Sequence, residues 1–238
     1  RLLIWMDTRA GFALSVIIIA VSTAVLRLVR ITFPPERVFD EVYSPAFAWK
    51  FLRGEPFFDV HPILAELPHT IGLGLFGDTP LGWRFAPWLW GILFTVGAAF
   101  TASLLTGRRL TGVLAALLVS LDTAFFIYGR TGLPDMFLLS QLSLAFACFF
   151  ASMRLASRPR ATLAALGSGV FLGNAVSTKW LGLAALGSVW LWLLLAGLVA
   201  GLVMILHRQG VVRGQGRVLL NVPWWACLLA FVLLPAVT

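Results

Sequence analysis

The sequence predicts an all-α fold, a polytopic bundle of transmembrane helices, and three observations support this prediction. Apolar residues make up 60% of the 238 positions and charged residues only 12%, whereas soluble domains carry about 25% charged residues. The mean hydropathy is +0.93. Several apolar runs are long enough to cross a hydrocarbon core of about 30 Å, a crossing that takes about 20 helical residues.

The apolar runs between charged residues predict seven spans. They lie near residues 11–29, 84–106, 110–128, 136–153, 161–178, 181–206 and 222–238. The first residue is not methionine and the last lies within an apolar run, so we expect residues 1–238 to form the N-terminal part of a longer membrane domain.

One long polar insertion, at about residues 30–83, separates the first two predicted spans. Apolar residues recur at helical spacing in Val42–Gly54, and basic residues follow towards its end. This pattern predicts a helix that lies at the membrane interface. The stretch from Pro62 to Phe76 is a candidate for a second such helix.

Basic residues predict the orientation, because short cytoplasmic loops are enriched in Lys and Arg. Strict alternation of the spans places ten arginines on one side: Arg1, Arg9, Arg108, Arg109, Arg154, Arg158, Arg160, Arg208, Arg213 and Arg217. We expect this side, with the N-terminus, to be cytoplasmic and the insertion to be extracytoplasmic. The insertion carries seven of the ten acidic residues: Glu36, Asp40, Glu41, Glu55, Asp59, Glu66 and Asp78.

Four basic residues do not follow the cytoplasmic enrichment in Lys and Arg, because they fall at the outer ends of spans: Arg30, Arg84, Arg130 and Lys179. A helix bundle can bring the last three to one outer rim. Ionisable residues at membrane depth are costly and normally have a partner or a substrate, and a lipid phosphate is the expected anion. The adjacent carboxylates of Asp40 and Glu41 lie on the same side, where one can accept a proton and the other orient a polar ligand.

Several other site types are not supported by the residues. The net charge of +8 does not indicate a nucleic-acid partner, because the arginines punctuate apolar runs and form no patch interleaved with aromatic residues. Cys148 and Cys227 both lie in apolar runs, so neither a disulfide framework nor a thiolate metal site is predicted. His61 and His69 lack further metal ligands nearby. For Asp122, pairing with a neighbouring span and a functional role both remain open.

Three segments resemble the protein O-mannosyltransferase family. FDEVYSPAFAWKFLRGEPFFDVHPILAEL, Phe39–Leu67, resembles the family's first outer loop, whose pattern reads approximately FDEVHFG and then FFDVHPPLGK. LDTAFFIYGRTGLPDMFLL resembles its junction between the third and fourth spans, and STKWLGL resembles its CKWVGL segment. The chain departs from the pattern where Ile63, Ala65 and Glu66 stand in place of proline, glycine and lysine.

The resemblance implies a GT-C fold and an enzyme that moves mannose from a dolichyl or polyprenyl phosphate to Ser or Thr hydroxyls, with inversion at the anomeric carbon. The acceptors would be secreted or membrane proteins at the outer face of the cell membrane in a bacterium, or in the endoplasmic reticulum of a eukaryote. No nucleotide diphosphate leaves, so charge demands no metal. We therefore expect no metal and no cofactor, with the sugar lipid as a substrate in the bilayer.

The resemblance also implies roles for seven residues. Asp40 falls at the position of the catalytic base and Glu41 at that of its essential neighbour in acceptor or donor binding. Arg130 and Lys179 are the expected ligands of the lipid phosphate. Three further residues fall on family motifs as candidate substrate-binding residues: His61, Arg84 and Asp135.

Three other functions are weighed beside this one. A related GT-C transferase would move a different sugar onto lipid A or another glycan. A transporter or flippase would carry charges or broken helices near the bilayer midplane, whereas the charges here gather at the outer ends of the spans. A noncatalytic scaffold would hold Asp40 and Glu41 far from the basic rim.

Overall fold

The structure, a computed structural model, describes residues 1–208, 229–233 and 235, and this part of the chain is helical without a β-strand. Its α-helices are α1 Leu2–Met6, α2 Arg9–Leu28, α3 Ser44–Leu52, α4 His69–Phe76, α5 Pro80–Thr106, α6 Arg109–Leu121, α7 Thr123–Tyr128, α8 Asp135–Arg154, α9 Arg158–Val176 and α10 Gly182–Arg208. Short 3₁₀ helices occupy Phe39–Val42 and Ile63–Ala65, and a π-helical turn occupies Leu229–Leu233. The predicted all-α fold is confirmed.

Four helices in the described part are long and apolar enough to cross a membrane: α2, α5, α8 and the Gly182–Val199 portion of α10. They match the first, second, fourth and sixth predicted spans. Many of their apolar side chains face outward, as at Ile17 and Leu194, which are 57% and 59% exposed. Lipid is the solvent that such surfaces require, so the chain is an integral membrane protein.

The other predicted spans give a less regular picture. The third is divided into α6 and α7 at Asp122, whose carboxylate accepts a hydrogen bond of 3.1 Å from the Phe125 N–H. Asp122 is therefore the N-cap of α7. The fifth corresponds to α9, which is not among the four long apolar helices. Most of the seventh, together with Arg213, Arg217 and Cys227, lies outside the described residues, so the count of seven stays a prediction.

Close approach of small residues holds the bundle together. A Cβ on Gly97 of α5 would lie 2.2 Å from the Ser143 Oγ of α8, so these helices nearly touch. The hydroxyl of Thr101 donates to the Ser143 carbonyl (2.7 Å), and Ser168 of α9 donates to the Ala145 carbonyl of α8 (2.9 Å). Small residues and hydrogen bonds between helices replace the hydrophobic driving force that is absent within lipid.

The polar insertion folds against one end of the helix bundle. The helix predicted within Val42–Gly54 is confirmed as α3, and the second candidate stretch forms the Ile63–Ala65 turn and α4. Their position at the membrane interface stays a prediction. The ring nitrogen Nδ1 of His69 lies 3.1 Å from the Trp83 carbonyl, which joins α4 to the start of α5. Three arginines from three different connections, Arg9, Arg109 and Arg154, gather at the other end of the bundle.

Candidate active site

A buried ion pair between Glu41 and Arg84 joins the polar insertion to the helix bundle. Arg84, in the second turn of α5, is 1% exposed, and Glu41 is fully buried. The guanidinium donates through Nε and Nη2 to the two carboxylate oxygens of Glu41, each at 2.8 Å. It also donates to the carbonyls of Ile31 and Pro34, both at 2.9 Å. Such a bidentate pair sets geometry as well as charge.

Glu41 joins three parts of the structure through one carboxylate. Besides Arg84, it accepts hydrogen bonds from the backbone N–H of Gly132, at 2.7 Å, and of Val38, at 3.0 Å. Gly132 lies between α7 and α8, so the loop, α5 and this junction meet at Glu41. These contacts hold the backbone beside Asp40, its neighbour in sequence.

Asp40 stands exposed at the mouth of a cavity of about 350 Å³. The residue before it, Phe39, has a φ of +53°, a backbone conformation that only the surrounding contacts can hold in a bulky residue. The cavity is lined by Asp40, Tyr43, Ser44, Phe47, Phe58, Asp59, Val60, His61, Pro134 and Lys179. Asp40 is thus placed beside both aromatic surfaces and charged groups.

Lys179 reaches the same cavity from the connection between α9 and α10. Its Nζ donates to the Asp135 carboxylate at 2.8 Å, and the two side chains are 21% and 29% exposed. Asp135 opens α8, where a carboxylate is stabilised by the helix N-terminus. Asp135 thus holds the Lys179 ammonium group in place, while the partly exposed lysine side chain still lines the cavity.

Two further hydrogen bonds join the connection that carries Lys179 to the polar insertion. The indole N–H of Trp180 donates to the Val60 carbonyl at 3.0 Å, and the Leu64 N–H donates to the Ser177 carbonyl at 3.0 Å. The segments that the sequence separates by more than 100 residues therefore share one wall of the cavity.

Asp59, in this wall, forms a pair of carboxyl groups with Glu66. Glu66 is 1% exposed, and its carboxyl group lies against that of Asp59. Burial, and secondarily the nearby Asp59 carboxylate, raises the pKa of Glu66 to about 9. Although burial opposes the shift, hydrogen bonding from Glu66 and from the His61 N–H lowers the pKa of Asp59 below its ordinary value. Glu66 is therefore neutral at pH 7, and Asp59 carries the charge into the cavity.

The candidate residues fall into two groups by position. Asp40, His61 and Lys179 line one cavity, with Asp135 bound to Lys179. Arg84 and Arg130 line a neighbouring cavity of about 270 Å³ instead. Arg130 donates to the carbonyls of Val29 and Arg30, at 2.9 and 3.0 Å.

Sequence reasoning did not single out Asp59, although the structure places it in the cavity. Its only signal was its position two residues before His61 in the FFDVHP string. No group of three or more His, Cys, Asp or Glu side chains that could hold a metal ion occurs among the described residues.

Known proteins provide an independent comparison. The family described as dolichyl-phosphate-mannose-protein mannosyltransferase matches residues 17–83 and 70–236. A polyprenol-phosphate-mannose–protein mannosyltransferase of Mycolicibacterium smegmatis is 30% identical over 207 residues, which cover 75% of this chain and 40% of that protein. Dolichyl-phosphate-mannose–protein mannosyltransferase 1 of Saccharomyces cerevisiae is 31% identical over 185 residues, which cover 69% of this chain and 22% of that protein.

A solved structure is also similar over nearly the whole chain. It is the S. cerevisiae protein O-mannosyltransferase Pmt1-Pmt2 complex bound to the sugar donor, which superposes with a TM-score of 0.76 at 26% sequence identity. The match covers 99% of this chain and 34% of that chain. The chain therefore spans well under half the length of the relatives that it matches.

Proposed function

Since the chain belongs to the dolichyl-phosphate-mannose-protein mannosyltransferase family, we propose that it forms the catalytic part of an enzyme that moves mannose from a polyprenyl or dolichyl phosphate to protein Ser or Thr hydroxyls. One observation carries this proposal: Asp40 and Lys179, 139 positions apart in the sequence, line one cavity. A base and a phosphate-binding cation are the two groups that transfer of a sugar from a lipid phosphate requires at one site.

Asp40 acts as the general base in this proposal. The acceptor hydroxyl oxygen attacks the mannosyl anomeric carbon and gives its proton to Asp40, while the bond from that carbon to the phosphate oxygen breaks. The bonding electron pair leaves with the lipid phosphate, so a single displacement inverts the anomeric carbon. The exposed side chain of Asp40 at the cavity mouth is compatible with approach of a protein acceptor.

Lys179 stabilises the negative charge that grows on the departing phosphate. Its ion pair with Asp135 holds the ammonium group in place before the substrate arrives, and a preorganised charge is worth more than one that must be recruited. Asp59 and His61 line the same cavity and can accept or donate hydrogen bonds to the sugar hydroxyls. Arg84 and Glu41 act through position, because they hold the loop that carries Asp40.

The site lies at the outer ends of the spans, so we place the reaction at the extracytoplasmic face, with the N-terminus in the cytoplasm. The excess of arginine on the opposite side supports this orientation. The membrane is the cell membrane in a bacterium and the endoplasmic reticulum in a eukaryote. A noncatalytic scaffold is not favoured, because Asp40 lies beside a cation of the rim rather than remote from it.

Replacing Asp40 by Asn tests the proposal. Membranes that contain the full-length protein are incubated with radiolabelled polyprenyl-phosphate mannose, and label in protein is measured. Asp40→Asn keeps the size of the side chain but removes the base, so we expect transfer to fall by at least about 100-fold, within the usual range for a lost general base.

Glu55→Gln is the matched control, because Glu55 is an exposed acid of the same insertion whose side chain pairs with the equally exposed Arg53. It should transfer label at the rate of the unaltered protein. Full transfer by Asp40→Asn, or label found only in a glycan or in lipid A, contradicts the proposal.

A further inference from the structure

An apolar groove follows α2 at the end of the bundle remote from Asp40. Its volume is about 740 Å³, and it is open to the surroundings of the helices. One stripe of α2 forms its first wall: Phe12, Ala13, Val16, Ile17, Ala20 and Val21. The C-terminal half of α5, with the Gly107 that follows it, forms the second wall: Val96, Phe100, Ser103, Leu104 and Gly107.

The length of the groove matches one leaflet of a bilayer. The lining residues of α2 run from Arg9 to Val21, and twelve residues at a rise of 1.5 Å span about 18 Å. Half of a hydrocarbon core of about 30 Å is similar. An acyl chain that enters from the membrane surface can therefore lie along the whole groove.

Three arginines close the end of the groove that lies at the membrane surface. Arg9 begins α2, Arg109 begins α6 and Arg154 ends α8. Arg109 donates to the Asp7 carbonyl at 3.3 Å, and Arg154 donates to the Leu105 carbonyl at 3.1 Å. Within residues 1–208 no ion pair joins any of the three to a carboxylate.

Asp7 is an acid at the same end of the bundle. The Asp7 carboxylate accepts a hydrogen bond of 2.8 Å from the Leu110 N–H, at the start of α6. Three guanidinium groups thus line one end of an apolar groove, and the Asp7 carboxylate at that end forms no ion pair with them, so the charge of the cluster stays net positive. Guanidinium groups bind phosphate through paired hydrogen bonds, and lipid tails fill apolar grooves between helices.

We propose that this groove binds an anionic phospholipid of the cytoplasmic leaflet. The phosphate contacts Arg9, Arg109 and Arg154, and one acyl chain lies between α2 and α5. The site is separate from the Asp40 cavity, because α8 runs from Asp135, beside that cavity, to Arg154, and its 20 residues span about 30 Å. The proposal therefore does not depend on the transferase assignment.

Binding of matched lipids to the purified full-length protein tests the proposal. Native mass spectrometry measures the apparent affinities for phosphatidylglycerol and phosphatidylcholine with identical acyl chains. We expect phosphatidylglycerol to bind at least about fivefold more tightly, and Arg109→Gln or Arg154→Gln to weaken it about fivefold each, the usual effect of one basic residue at an anionic membrane surface. Arg158→Gln and Arg160→Gln are controls from the same connection as Arg154, and they should change nothing because neither residue lines the groove.

The groove itself is tested by a substitution that fills it. Ala13 is exposed and lines the groove, whereas its neighbour Leu14 is exposed but does not. Ala13→Trp should abolish the preference for phosphatidylglycerol, and Leu14→Trp should retain it. A photo-crosslinking amino acid at Ile17 should form adducts with lipid. Equal binding of the two lipids, an unchanged Ala13→Trp variant, or adducts at Ile17 with protein instead of lipid would each overturn the proposal.

Discussion

At the scale of single residues, Glu66 links the candidate site to pH. Its ordinary pKa is 4.5, and its pKa in the folded protein is about 9, so between these values the folded protein holds a proton that the unfolded chain releases. The stability that the group contributes is full below pH 4.5 and is lost as the pH rises through 9.

Glu66→Gln should therefore stabilise the protein increasingly as the pH rises. The amide cannot ionise, so the variant and the unaltered protein should unfold alike near pH 4, and at pH 8 the variant should be more stable by on the order of 3 kcal/mol. Thermal unfolding in detergent across this pH range measures the difference. Glu55→Gln is the control: it removes only an exposed ion pair and should change stability by under about 1 kcal/mol. Parallel curves for Glu66→Gln and the unaltered protein would show that Glu66 is ionised when folded.

The buried pair of Arg84 and Glu41 gives a second residue-level prediction. Replacing Arg84 by Gln leaves a buried carboxylate with a weaker partner, which should cost about 3–5 kcal/mol of stability. Replacing Arg53 by Gln breaks the exposed pair with Glu55 and should cost under about 1 kcal/mol. Denaturant unfolding of both variants tests the contrast, and equal losses would remove the anchoring role from Arg84.

The candidate residues were predictable from the sequence to different degrees. Lys179 stands out because a cation at the end of an apolar span is costly without a partner or a substrate. Asp40 lies in the polar insertion, and only the family resemblance marked it as the base. The pairing of Glu41 with Arg84 was not predictable from charge patterns, because 43 residues separate them and the loop must fold before they meet. The sequence did not distinguish Asp59 from the other acids of the polar insertion. Its role in the cavity became visible only from the fold, which packs Glu66 against it.

At the scale of helices, the close contact of α5 and α8 predicts a severe effect at Gly97. A Cβ there would lie 2.2 Å from the Ser143 Oγ and 3.2 Å from the Leu144 N, so rotation of the serine alone cannot relieve the clash. Gly97→Ala should destabilise the bundle by about 1–3 kcal/mol, the usual cost of overpacking. Gly187 of α10 has open space at the same position, so Gly187→Ala is the control and should unfold no earlier than the unaltered protein. A Gly97→Ala variant as stable as Gly187→Ala would mean that the two helices do not touch.

The helices themselves were largely predictable, since hydrophobicity sets spans and periodicity sets interfacial helices. The division of the third span at Asp122 was not predicted, because the flanking residues are apolar on both sides. The available signal was the aspartate itself, since Asp is a preferred N-cap and its side chain competes for backbone N–H groups.

At the scale of the whole molecule, the two ends of the bundle carry different functional groups. One end gathers carboxylates and one lysine around a cavity, and the other end gathers three arginines at an apolar groove. The resemblance of three short segments predicted the family correctly, and the family match extends over nearly all of the chain. Which cations line which cavity depends on how the connections between the helices fold. The sequence grouped Arg130 with Lys179 only because both fall at the predicted outer ends of spans.

A cryo-electron microscopy structure of the full-length Asp40→Asn variant with bound lipid-phosphate mannose is the most direct test of the central claim. The donor phosphate should lie within salt-bridge distance, about 3 Å, of the Lys179 Nζ. The mannosyl carbon should then face residue 40 across the cavity. A phosphate bound between Arg84 and Arg130 in the neighbouring cavity, away from Lys179, would contradict the account.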